Sequence, residues 1–261
     1  MLMQVSLLQE PVAAAMAFGF GKTYDAETLL VFDLGGGTFD LSVVDSFEGI
    51  MEVLATGGDA FLGGDDFDSA ILQGVLDQQQ DMQQQQHSHS GDNSSSGSSA
   101  ASISSLEPDV LAELLAAVES AKCQLSTQEA VQVPISAAAA VHLGGKQHPQ
   151  QQQQHQGGSI ELSRQRMHEL TAGLRQRLWQ PLQPLADACK LQYACTPCSI
   201  EQQLQGQQPA TAAGSRGSNG SSADPYAPKP RQLTAVLLVG GATRMPIVQQ
   251  GLQVLTGLQP R

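Results

Sequence analysis

Apolar and polar positions change period from block to block along this chain. Residues 11–18 are small and apolar behind Pro11, which predicts a buried helix opening after Glu10, and Gly19 and Gly21 stop it. Residues 29–34 (LLVFDL) and 38–44 (TFDLSVV) are rich in aromatic and β-branched side chains, with Gly35, Gly36 and Gly37 between them, so the pattern predicts a hairpin. Residues 50–56 predict a third strand, reached through the polar turn at 45–49, and the three strands make an antiparallel meander. Behind Gly63 and Gly64, Phe67, Ile71, Leu72 and Val75 recur at helical spacing over 65–76, with carboxylates at the positive end of the helix dipole.

Further on, Glu107 and Pro108 open a helix whose apolar face is Leu111, Leu114, Leu115, Val118 and Ala121. Residues 131–135 predict a short strand, and 163–178 a helix with Met167, Leu170, Leu174 and Leu178 turned inward. The last pattern is a strand over 235–239, Gly240 and Gly241, then a helix over 246–255.

Three tracts interrupt these elements. Residues 78–105, 144–158 and 205–231 are dominated by Gln, Ser, Gly and other small or polar residues, which bury too little apolar surface to offset the entropy of ordering. They predict two disordered stretches, 78–105 and 205–231, and a Gln-rich linker over 144–158. Four islands remain: 1–77 with the hairpin and its flanking helices, 106–143, the helical segment 159–204, and 232–261 with the strand-glycine-helix pattern.

Composition sharpens this picture. Hydrophobic residues make up 41% of the 261, charged residues only 15%, and 35 glutamines account for much of the difference. The formal charge of −12 repels phosphate polymers and anionic lipid, so neither nucleic acid nor membrane is an expected partner. No apolar run approaches a membrane span, and the first residues lack a signal peptide's basic region, which points to the cytoplasm or another reducing intracellular compartment. There the thiols of Cys123, Cys189, Cys195 and Cys198 are expected to stay reduced. Cys195 and Cys198 form a C-x-x-C whose spacing suits zinc or thiol exchange, but no second such pair accompanies it, and free structural thiols are the preferred reading.

The hairpin carries the most chemistry. If residues 35–38 form its turn, Leu34 faces Phe39 and Asp33 faces Asp40, with the two carboxylates on one face about 5 Å apart. Like charges at that distance are destabilising unless a divalent cation or ordered water lies between them. Mg²⁺ held through water by carboxylates is the usual companion of a nucleotide phosphate. Three glycines let the backbone approach a ligand closely and offer N–H groups to phosphate oxygens, and Thr38 adds a hydroxyl. A flexible glycine turn between two solvated aspartates is the alternative this hairpin leaves open. Gly240 and Gly241, between a strand and a helix, are a second place where backbone can come close to a nucleotide or simply make a tight connection.

Together the segments VFDLGGGTFDLSVV (31–44), ATGGDAFLGGDDFDSAIL (55–72), QEPVAAAMAFGFGK (9–22) and VLLVGGATRMPIVQQGL (236–252) resemble the second half of the ATPase domain of Hsp70-type (DnaK-type) chaperones. The resemblance runs on through 110–136 and 159–191. It implies an α/β fold, a lobe of the actin-like (ribonuclease H-like) ATPase type in which an antiparallel meander is packed with helices, here interrupted by disordered inserts. It implies ATP or ADP with Mg²⁺ as cofactors and an ATP-dependent protein-folding activity. Unfolded polypeptide, a J-domain protein and a nucleotide exchange factor are the partners it brings.

By matching position, Glu10 resembles the family's glutamate near the reacting phosphate, Asp33 the aspartate that positions the attacking water, and Asp40 the second carboxylate near the metal. Asp33 and Asp40 would hold that metal through water. Gly35, Gly36, Gly37 and Thr38 correspond to the loop on the β- and γ-phosphates. Glu119, Lys122 and Ser126 correspond to ribose and adenine contacts, and their spacing puts them on one helical face. Without the flanking motifs, Glu119 and Lys122 would read as a solvated surface pair. Gly240, Gly241 and Arg244 match the adenosine side of the cleft.

Two positions depart from the family: Cys123 replaces a cation that covers the adenine face, and Ala242 replaces a serine. The chain also starts inside the family's domain, without its first lobe and catalytic lysine. Weak nucleotide binding and little or no hydrolysis are therefore expected of this chain alone. The competing expectations are a non-catalytic, truncated or degenerate lobe that binds partners, with Gln-rich loops able to self-associate, and, lower, a relative of actin-like filament proteins or sugar kinases.

Overall fold

Residues 7–22, 25–87, 103–136, 139, 158–204 and 230–261 are described by a computed structural model of the chain. In chain order their elements are α1 (Glu10–Ala17), β1 (Glu27–Leu34), β2 (Phe39–Phe47), β3 (Ile50–Asp59), α2 (Gly64–His87), α3 (Pro108–Gln124), β4 (Ala130–Ile135) and β5 (Gly158–Ser163). Then come α4 (Arg164–Leu170), α5 (Ala172–Trp179), α6 (Leu182–Cys189), β6 (Leu191–Gln192), α7 (Ile200–Leu204), β7 (Arg231–Gln232), β8 (Ala235–Val239) and α8 (Pro246–Thr256). They fall into two units, residues 1–64 with 175–261 and residues 65–174. The expected helical segment 159–204 is thus divided between them.

The first unit is built on a sheet of order β3-β2-β1-β8. The pairs β1–β2 and β2–β3 are antiparallel, which is the expected meander, while β8 runs parallel to β1 and makes the sheet mixed. Both faces are covered, so β1 reads as a nearly continuous apolar run rather than an alternation. On one face Leu29, Val31, Val44 and Leu237 pack with Ala15 of α1. On the other Leu30, Phe32, Leu34, Leu41, Val43 and Val236 are fully buried, and the rings of Phe32 and Phe39 lie 4.7 Å apart. The β2–β3 turn is closed by Glu48 and Gly49, both at positive φ (50° and 77°), as a two-residue hairpin requires. Strand β3 continues past the expected residue 56 because Gly57, Gly58 and Asp59 go on pairing with Leu41, Asp40 and Phe39.

The second unit packs α2, α3 and α4 with the antiparallel hairpin β4–β5 around Ile71, Leu72, Leu114, Val118, Val133 and Leu162. Helix α2 runs ten residues into the tract 78–105 expected to be structureless. Glutamine is a good helix former, and extending a helix whose nucleus is already packed carries no new nucleation cost. Residues 88–102 of that tract lie outside the described residues. So do 205–229 of the third tract, whose end at Arg231 enters β7, and all of 144–158 except Gly158, which opens β5.

Strand β5 carried no signal strong enough to be read from sequence. The helix expected over 163–178 is two helices, α4 and α5. Ser163 caps the first by accepting from the Arg166 N–H at 3.1 Å. The break falls at buried Thr171, whose hydroxyl donates back to the Met167 carbonyl at 2.7 Å, a local bond that competes with helix continuation. Among the described residues no helix is long and apolar enough to cross a membrane.

Candidate functional site

In the first unit the hairpin register is the one the sequence implies: Asp33 lies opposite Asp40 and Leu34 opposite Phe39. Residues 35–38 form the turn, closed by the Gly35 N–H donating to the Thr38 carbonyl at 3.0 Å. Because strand side chains alternate, both aspartates project on the α1 face, just beyond the apolar patch that seats that helix. Pro11, in the first turn of α1, fixes where the helix begins and so brings Glu10 to the same end of the sheet. A cavity of about 410 Å³, in the size range of small-ligand clefts, opens there and is lined by Glu10, Val31, Asp33, Asp40, Ser42 and Thr56 among others.

Among the three carboxylates, Asp33 has a shifted proton affinity. Burial raises the proton affinity of Asp33 above the ordinary aspartate range, and the charges of Glu10 and Asp40 raise it further. Among the described residues no three His, Cys, Asp or Glu side chains are grouped to ligate a metal directly. The facing pair Asp33 and Asp40 suits a hydrated cation held through water.

A sign follows for stability. The folded pKa of Asp33 lies above its unfolded value, so its contribution is most favourable below the unfolded aspartate pKa, about 3.9, and declines as pH rises through the folded value. In a carboxylate ¹³C titration, Asp33 is expected to titrate above the ordinary aspartate range, and Asp40→Asn to bring its midpoint down. An unmoved midpoint would mean that the two charges do not communicate.

The turn is held from two sides. Gly240, at φ 85°, lies against the backbone of Leu34 and Gly35, where a Cβ would overlap. Gly63 lies equally close to Gly36 and Gly37, and the Gly64 N–H donates to the Gly35 carbonyl at 2.9 Å. Gly241 opens the turn Gly241–Arg244, in which the Thr243 hydroxyl donates to the Gly240 carbonyl at 2.7 Å; Arg244 is exposed.

The remaining candidates belong to the second unit. Glu119 is exposed on α3, and Ser126 follows the end of that helix. Lys122 is not part of a solvated surface pair. It is buried, and its ammonium donates to Asp68 Oδ2 at 2.7 Å, with the two side chains 9% and 8% exposed. Among the described residues Asp68 Oδ1 has no hydrogen-bond partner, and burial, despite Lys122, raises the Asp68 proton affinity. The structure thus gathers Glu10, Asp33 and Asp40 on one cavity, sets residues 35–38 in the turn between the two aspartate-bearing strands with Gly240 against its start, and sets Lys122 beside Asp68.

Four contributors escaped the sequence reading: Ser42, Thr56, the buttressing role of Gly63 and Gly64, and Asp68. Only the Gly63-Gly64 pair carried a signal, since two glycines just before a helix suggest a close backbone approach. Of the thiols, Cys189 is buried and its proton affinity raised by that burial, while Cys195 Sγ lies 3.5 Å from the Val254 carbonyl.

Comparison with known proteins adds a family. The family model described as "Hsp70 protein" matches residues 2–194. The chain is 32% identical over 256 residues to the "Chaperone protein dnaK" of Cyanidioschyzon merolae, a match covering 97% of this chain and 31% of that protein. The proteins of the same name from Emiliania huxleyi and Thalassiosira pseudonana are each 31% identical over 97% of this chain, covering 30% and 31% of their own lengths. The chain therefore spans about a third of the length of these relatives.

Proposed function

The chain belongs to the Hsp70 protein family and has its actin-like α/β ATPase fold, and on that premise we propose that it carries part of an Mg·ATP/ADP site serving chaperone activity. The observation that supports this most is the convergence of Glu10, Asp33 and Asp40 on the cavity beside the glycine turn. In this reading the N–H groups of residues 35–38 and the Thr38 hydroxyl bind the β- and γ-phosphates. Asp33 and Asp40 would hold Mg²⁺ through water, Asp33 would position the attacking water, and Glu10 would lie near the reacting phosphate. When bound, Mg²⁺ neutralises charge on the phosphates and on the two aspartates at once. Lys122, Glu119 and Ser126 contact ribose and adenine, with Gly240, Gly241 and Arg244 on the adenosine side.

An unfolded polypeptide client, a J-domain protein and a nucleotide exchange factor belong to the same reading, as does a reducing intracellular compartment. A second reading, a non-catalytic lobe that binds partners, is favoured by Ala242 and Cys123, which withdraw a hydroxyl and a stacking cation from the adenosine side.

Calorimetry separates the two readings. Mg·ADP is expected to bind in the high-micromolar to millimolar range, with affinity lower by about tenfold, equivalent to roughly 1.4 kcal/mol, in Asp33→Asn or when EDTA removes the metal. No heat at millimolar Mg·ADP from the folded chain would overturn the nucleotide reading in favour of the partner-binding one.

A further inference from the structure

Asp59 ends β3 opposite Phe39, the residue that leaves the glycine turn. Its two carboxylate oxygens have separate tasks. Oδ1 accepts the Phe61 N–H at 3.0 Å, and Oδ2 accepts both Nε and Nη2 of Arg177, at 2.9 and 2.7 Å. The same Nη2 also donates to the Phe61 carbonyl at 2.8 Å, and the Leu62 N–H donates to the Asp59 carbonyl at 3.2 Å. One planar guanidinium from α5 thus grips the side chain at the start of this turn and the backbone at its middle, a grip that depends on the fixed fork of its donors. The Phe61 N–H, and with it Arg177, holds the Asp59 carboxyl below its ordinary range.

The residues that follow are the ones that touch the glycine loop. Gly63 lies against Gly36 and Gly37 with no space for a side chain, and Gly64 donates to Gly35. An ion pair whose partners are 38% and 25% exposed adds little to stability. Its placement is the informative feature, since it fixes the turn that sets where Gly63 and Gly64 stand.

We propose that Arg177 is a positioning residue for the phosphate loop, acting through Asp59 and the 59–64 turn to hold the N–H groups of residues 35–38 in their ligand-accepting arrangement. The inference rests on the reading of residues 35–38 as a phosphate loop. It assigns to an arginine more than a hundred positions away in sequence a share of the affinity for the phosphate end of a nucleotide, and none of the affinity for the nucleoside.

The test uses the full chain as wild type, Arg177→Ala and Arg177→Lys. Hydrogen exchange without nucleotide is expected to accelerate about tenfold at the hydrogen-bonded Gly35 and Gly64 amides in Arg177→Ala, with the β8 amides unchanged. Arg177→Lys should lie between, because an ammonium has no planar fork to span both acceptors. With ligand, Arg177→Ala is expected to weaken Mg·ADP about fivefold while leaving adenosine binding alone. If the alanine variant fails to fold, Arg177→Lys and Asp59→Asn decide by the same readouts. Unchanged exchange at Gly35 and Gly64 in a folded variant, or equal acceleration in β8, would overturn the proposal. If the wild type binds neither Mg·ADP nor adenosine, the nucleotide reading fails instead, and the exchange result alone decides whether Arg177 holds the loop.

Discussion

Glu201→Ala is expected to cost about 3 kcal/mol or more, the low end of what breaking a buried ion pair costs. The Arg175 side chain is only 5% exposed, and Glu201 receives its guanidinium bidentately, Nε to Oε1 at 3.1 Å and Nη2 to Oε2 at 2.7 Å. Glu201 Oε1 also accepts the Trp179 indole N–H at 2.8 Å. Truncation therefore takes away the carboxylate that faces a desolvated cation and an indole donor together. Glu201 itself is 28% exposed, so water can enter the gap, which keeps the loss at the lower end.

At that cost the melting temperature should fall by roughly 6–12 °C, read by circular dichroism. Glu201→Gln, which retains the hydrogen-bonding shape without the charge, should lose less. A melting temperature within about 1 °C of wild type for the alanine variant would show that the pair is not carrying this part of the unit. The consequence reaches α8, because Gly251 of that helix packs directly on the Trp179 ring and Ile200, where a Cβ would overlap the indole.

The hairpin chemistry was legible in the sequence for a physical reason. A strand pair joined by a tight turn has its register fixed locally, so Asp33 opposite Asp40 follows from the count of residues between them. Burial of β1 on both faces and the end of α1 near Gly19 follow from equally local patterns. What sequence did not yield are the contacts between residues far apart: β8 lying parallel to β1, Arg177 on Asp59, and Asp68 beside Lys122. None has a periodic signature, because each depends on which elements the fold brings together. The glutamine-rich start of the first interrupting tract was misread for a different reason. Composition alone does not separate a solvated loop from the continuation of a helix whose nucleus lies upstream, and α2 is that continuation.

Gly240 and Gly241 look interchangeable in sequence, and the structure makes opposite demands on them. Gly240 has φ 85° and ψ 149°, a region open essentially to glycine alone, and a Cβ there would overlap the Leu34 carbonyl and the Gly35 nitrogen. Gly241 has open space around its missing side chain and no positive φ. Gly240→Ala is therefore expected to lose about 2–6 kcal/mol, strain of 1–3 plus overpacking of 1–3, whereas Gly241→Ala should stay within about 0.5 kcal/mol of wild type. The displaced atoms belong to the backbone where the glycine turn begins, so the chain cannot relieve the clash by rotating a side chain. It must move either β8 or the turn. If the turn moves, a folded Gly240→Ala protein should bind Mg·ADP more weakly than Gly241→Ala at equal temperature below both transitions. Denaturant unfolding of the two variants, followed by nucleotide titration, checks both expectations. Equal stability of the pair would mean that Gly240 does not stand against the turn, and with it would go the proposed link between the second glycine motif and the phosphate loop.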